Sequence, residues 1–144
     1  MTLPANGALL VAAAFAVLAD QGSKALVRRL LVDKPAGLVR WGSGFNWTLN
    51  PRGGVVVIPL RWAIIVWIAV LVGAGLTGAH ASRSLGILGA IGLGLSFGGA
   101  TSNLADRVLR GAIVDFIAVR DWLTFNLADV AMAAGTVLLV GRLA

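Results

Sequence analysis

The chain has 144 residues, 58% of them hydrophobic and only 12% charged, and its mean hydropathy is +0.90, which excludes an ordinary soluble globular domain. At roughly 20 apolar residues per span, the length leaves room for about four transmembrane helices and therefore one domain. The net charge of +6 comes from twelve Lys and Arg against six Asp, and in this setting it suits anionic lipid headgroups; no aromatic-interleaved basic stretch argues for nucleic acid, and the absence of cysteine excludes disulfides, a thiolate nucleophile and a Cys-type zinc site.

The first apolar run, 7–19, has no basic residue before it and no small-residue cleavage pattern after it. It is expected to be a retained helix spanning about residues 4–25 rather than a removable signal peptide. At its end, Asp20 and Lys24 share a helix face in the favourable acid-first order. A structural ion pair is the favoured reading and direct chemistry the other, because a carboxylate beside an apolar span is costly.

Next come Lys34-Pro35, Gly42-Ser43-Gly44 and Pro51-Arg52-Gly53-Gly54, alternating with short apolar stretches such as Leu38-Val39 and 55–58. These breaks predict a small strand-and-turn layer over about residues 40–58. A second span is expected at about 62–79 and a third at about 84–103, with a tight turn around His80 and Arg83 between them. His80 is the single histidine, and an isolated loop histidine is read as solvated, which leaves no Ser–His or His-cluster chemistry.

The third span carries Gly86, Ala90, Gly94, Gly98 and Ser102 at every fourth position. Such a stripe lets another helix approach closely, and it delivers Asn103, Asp106 and Arg107 to one end. Asn103 and Arg107 fall on one face; Arg107 either serves a site or ties down a loop, and the physics leaves these even. The connection after Arg110 holds a short apolar run, 112–119, interrupted by Asp115, where an unpaired carboxylate would be expensive. A fourth span follows at about 124–142. Asn126 and Asp129 at its start read as helix capping, with a site role as the alternative.

If every span crosses, one side of the membrane holds all six aspartates, Asn46, Asn50, Asn103, Asn126, and every Lys and Arg except Arg83 and Arg142. Trp41, Trp47, Trp62 and Trp122 lie there too, at headgroup level. A site at one membrane surface follows. Should Asp115 and Asp129 meet, they would compete for one proton, so that one activates a water while the other polarises a carbonyl.

The chain resembles the lipoprotein signal peptidases, or signal peptidase II. Asp20-Gln21-Gly22-Ser23-Lys24 is similar to that family's Asp-Gln-x-(Thr/Ser)-Lys, and the segment from Phe45 to Asn50 to its aromatic-rich strand ending in asparagine. The run from Gly98 to Arg107, Gly111-Ala112-Ile113-Val114-Asp115-Phe116-Ile117 and Phe125-Asn126-Leu127-Ala128-Asp129 resemble its remaining blocks. The resemblance implies an all-α integral membrane protein: four transmembrane helices, a small extracytoplasmic β-cradle at about 40–58, and a lid formed in part by the third connection. It implies an aspartic endopeptidase with Asp115 and Asp129 as catalytic dyad and Asp20, Lys24, Asn50, Asn103, Asp106, Arg107 and Asn126 shaping the site. No metal or cofactor is implied. The implied substrate is a diacylglyceryl-modified prolipoprotein, cut before its lipidated cysteine by a monomer among the phospholipids of the bacterial inner membrane, with the site facing the extracytoplasmic side.

Three departures accompany the match. Asn50-Pro51-Arg52-Gly53-Gly54-Val55 replaces the family's Asn-x-Gly-Ala-Ala-Phe, Ser102 stands in place of glycine, and the stretch from Asp115 to Asp129 is short. The Lys and Arg distribution alone would put the aspartate-rich side in the cytoplasm; the motifs outweigh it. A proton- or cation-handling membrane protein and a non-cleaving lipid- or peptide-binding relative are the alternatives.

Overall fold

The computed structural model describes residues 5–31, 45–50, 59–119 and 123–143. Their order is α1 (Ala5–Leu31), β1 (Phe45–Asn50), α2 (Leu60–Arg110), β2 (Ile113–Val119), β3 (Leu123–Phe125) and α3 (Leu127–Leu143). The protein is mostly helical with one three-stranded antiparallel sheet, β1-β2-β3. Asp33, Asp121, Trp41, Trp122, the segment 51–55 and most of the expected 40–58 layer lie outside the described residues.

The second and third expected spans form one 51-residue helical run, broken only at Gly86, whose φ of 65° and ψ of −174° are non-helical. The indole of Trp67 meets the hydroxyl of Thr101, thirty-four residues on, at 3.2 Å. A straight helix would hold them about 50 Å apart at 1.5 Å per residue, so α2 doubles back at Gly86. The expected turn at His80 and Arg83 is thus displaced to a glycine, the residue that tolerates this backbone. The second arm runs on to Arg110, past the expected end at 103, and stops at Gly111 in the left-handed region, whose N–H bonds the Arg107 carbonyl at 3.1 Å.

Small residues decide how the helices meet. The buried row of α1 is Ala8, Ala12, Ala16, Asp20 and Lys24, every fourth residue. Opposite it, a Cβ on Gly98 would lie 2.5 Å from the Ala13 carbonyl oxygen and 2.8 Å from Ala16 Cβ. Gly92 and Gly99 face α3 instead, where a Cβ on Gly99 would lie 2.5 Å from the Ala128 carbonyl. Helices in hydrocarbon associate through such close approach, since apolar burial gains little there.

The distribution of polarity is inverted. Asp20, Lys24, Ser102, Asp106 and Asn126 are fully buried, while Leu18, Phe15, Leu88, Leu109 and Val137 are at least 60% exposed. A surface this apolar around a polar interior suits lipid rather than water. Among the described residues, Ala5–Leu30 and Gly86–Arg110 are long and apolar enough to cross a membrane; Leu60–Ala69 is a shorter apolar stretch, and α3 has 17 residues.

Candidate active site

Where the Ala row of α1 ends, charge replaces it, and the partner helix does the same at Ser102 and Asp106. Lys24 Nζ lies 2.5 Å from Asp20 and 2.8 Å from Asp106, with all three side chains fully buried. Asp20 also accepts from Ser102 Oγ at 2.7 Å and from the Ala128 backbone N–H at 2.9 Å. Asp106 accepts from the Val114 N–H at 3.3 Å and from Gln21 Nε2 at 3.1 Å, and it pairs with Arg110. A buried carboxylate is tolerable only when so fully partnered. The ion pair expected between Asp20 and Lys24 is therefore present, as part of a network that clamps α1, α2, β2 and α3 together.

Lys24 spends its third contact on Asn103 Oδ1, at 3.0 Å, and Asn126 Nδ2 donates to the same oxygen at 3.1 Å. With its oxygen thus held by donors, the Asn103 amide must turn its Nδ2 the other way. That nitrogen donates to Asp129 Oδ1 at 2.9 Å.

Asn126 and Asp129 form a reciprocal cap. The Asp129 N–H donates to Asn126 Oδ1 at 3.0 Å, and the Asn126 N–H donates to Asp129 Oδ2 at 3.2 Å. The capping read from the sequence is present, and the Asn126 amide also donates to Asp115 Oδ1 at 2.8 Å. The other oxygen of Asp115 accepts from Asn50 Nδ2 at 3.1 Å. Strand register makes that contact: Asn50 pairs with Ile113, so Asp115 is its diagonal neighbour on β2. The structure thus brings Asp115 and Asp129 to two sides of Asn126, with Asn103 and Asn50 as further amide donors.

Asp115 is 4% exposed. Burial raises its pKa above the usual carboxylate range, and the negative charge of Asp129 raises it further; the amides of Asn50 and Asn126 and the charge of Lys24 oppose the shift. Beside the pair opens a cavity of about 480 Å³, lined by Asn103, Arg107 and Asp129 and, elsewhere, by mostly apolar residues of both α2 arms, β2 and α3, with Ser96 among them. Asp115 is absent from that lining. Arg107 lines this cavity. Among the described residues no group of acidic or histidine side chains could hold a metal ion.

Gln21, Ser102 and Arg110 join the network without having been singled out as site residues. Arg110 had a legible signal, since Asp106 and Arg110 repeat the four-residue, acid-first spacing of Asp20 and Lys24. Ser102 stood out only as a departure; its hydroxyl accepts from Gln21 at 2.9 Å and donates to Asp20.

A family model described as signal peptidase (SPase) II matches residues 12–144. A lipoprotein signal peptidase of Pelotomaculum thermopropionicum is 35% identical over 137 residues, covering 94% of this chain and 90% of its own. One from Nitrobacter hamburgensis is 33% identical, covering 91% and 88%. Among solved structures, a bacterial membrane enzyme superposes with a TM-score of 0.76 at 24% identity, covering 95% of this chain and 87% of that one.

Proposed function

The chain belongs to the signal peptidase II family and is an aspartic-type peptidase that removes signal peptides from prolipoproteins; from that premise we propose that Asp115 and Asp129 are its catalytic pair. The observation that carries this reading is the bridge made by Asn126, which binds Asp115 through its side-chain nitrogen and caps Asp129 through its side-chain oxygen and backbone N–H. One residue thereby sets the spacing of both carboxylates.

The two acids are unequal. Asp115 is buried and that burial raises its pKa, which suits it to the role of proton donor. Asp129 accepts hydrogen bonds from the Asn103 amide and the Asn126 N–H at the start of α3, which leaves it placed to act on a water. In the proposed reaction Asp129 takes a proton from a water as that water's oxygen bonds the scissile carbonyl carbon, while Asp115 gives its proton to the carbonyl oxygen. The tetrahedral diol then collapses: the carbon–nitrogen bond breaks, one hydroxyl proton returns to Asp115, and the proton on Asp129 passes to the departing amine. Water is the sole co-reactant. Asp20, Lys24 and Asp106 act behind this pair, holding the Asn103 amide in its donating orientation, and Arg107 serves the polar end of the cavity.

In the same reading the four helical stretches, α1, the two arms of α2 and α3, all cross the inner membrane of a bacterium, and the protein acts as a monomer among phospholipids. The substrate is a diacylglyceryl-modified precursor cut before its lipidated cysteine. The apolar helix surfaces support approach from within the bilayer. The site faces the extracytoplasmic side. Against this stands the cation count near the helix ends, but Lys24 and Arg110 are paired with Asp20 and Asp106 and so weigh little as free charge.

Asp115→Asn and Asp129→Asn, purified and assayed on a lipid-modified precursor, test the assignment. Each is expected to lose at least about a thousandfold in kcat/KM while still inserting and folding. Full cleavage by either variant would refute it.

A further inference from the structure

Trp67, on the first arm of α2, donates its indole N–H to Thr101 Oγ1 on the second at 3.2 Å. The Thr101 hydroxyl gives its own proton to the Phe97 carbonyl one turn back, at 2.7 Å, which leaves its lone pairs for the indole. Around it, Trp62, Ile65, Val66 and Ile68 of the first arm are each half exposed or more.

Trp67 lines the cavity that opens onto Asp129, together with Ala63 and Val66 of its own arm and Phe97 and Ala100 opposite. The distance between the arms therefore sets the cavity's width between them, with Met132 of α3 and Ile113 of β2 also in its lining. We infer that the Trp67–Thr101 hydrogen bond is a latch fixing that width, and that Trp67 is the residue through which the enzyme selects the size of the aliphatic group seated beside the scissile bond. The inference rests on the function proposed above, which makes this cavity the substrate's. Apart from Ser96 the wall around Trp67 is apolar, which suits an aliphatic group, and a lipid-modified precursor offers two: an apolar side chain of the signal peptide and an acyl chain.

Two variants separate the latch from mere ring volume. Trp67→Phe removes the donor and shrinks the wall, whereas Thr101→Val removes the acceptor and leaves the indole whole. Thr101→Ser retains the hydroxyl. Each would be assayed with the parent enzyme on precursors differing in the size of the residue before the cut, and in a second arm on precursors differing in acyl length. Trp67→Phe and Thr101→Val are expected to shift the kcat/KM preference for bulky over small groups by roughly tenfold in the same direction. The change should lie in KM, with kcat within about twofold. The double variant should shift no further than the larger single one, and Thr101→Ser should retain the parental preference. The arm that responds identifies which aliphatic group is sorted.

Parental preference in Thr101→Val across both arms would overturn the latch, as would a Thr101→Ser shift equal to that of Thr101→Val, or a uniform loss on every precursor. If Thr101→Val fails to fold, Thr101→Ala, which also removes the acceptor and leaves the indole whole, decides in its place. If the parent cleaves no precursor in either arm, the proposed function itself falls, and the latch with it.

Discussion

Asn126 carries three duties in one side chain, as helix cap, as donor to Asp115 and as donor to Asn103. Its neighbour Asp115 gives a pH signature independent of catalysis. Because the folded pKa is raised, the folded state binds this proton more tightly than the unfolded chain does. The resulting stability is fully present below the ordinary carboxylate pKa and is lost as pH rises through the raised value. The difference in Tm between Asp115→Asn and the parent should therefore move in the variant's favour from acidic to neutral pH; a difference constant with pH would contradict the burial argument. Lys24 gives the opposite case. Lys24→Met would leave Asp20 and Asp106 without their shared cation, and thermal or denaturant unfolding should show a loss of about 3–5 kcal/mol. Residue types made the acids conspicuous in the sequence, since Asp115 interrupts an apolar run and so needs partners. Which partner each amide chooses was not legible, because the Asn50 contact depends on strand register and the Asn103 orientation on a lysine seventy-nine residues away.

The helices meet through small side chains, and this was partly readable. The stripe Gly94, Gly98, Ser102 on α2 does face α1, and its matching row on α1, Ala8, Ala12 and Ala16, was present in the sequence at the same spacing. Gly98→Val is expected to force apart α1 and α2 at a cost of about 1–3 kcal/mol, read as a lower Tm and reduced cleavage, because the same two helices position Lys24 against Asn103. A Gly98→Val protein with parental Tm would show the contact to be slack. The hairpin within α2 lies three residues past the polar turn that composition suggests. His80 and Arg83 look like a turn by composition, yet the backbone breaks at Gly86, where a left-handed φ is needed and Arg142 packs against the corner, 3.6 Å from where a Cβ would stand. Polarity marks where a chain can meet water, whereas steric freedom marks where it can reverse.

At the scale of the molecule, an apolar exterior surrounds a polar core that narrows to two carboxylates beside a cavity. Composition alone points to the membrane, and the four described aspartates are gathered into one network. The clustering also bears on the alternative of a proton or cation path: the described aspartates, Asp20, Asp106, Asp115 and Asp129, form one connected group with their amide and basic partners rather than a file across the bilayer. The most direct measurement is cleavage itself. Purified protein incubated with a diacylglyceryl-modified precursor should release a signal peptide whose mass, by mass spectrometry, ends at the residue before the lipidated cysteine. An intact precursor, or a cut at any other bond, would contradict the account.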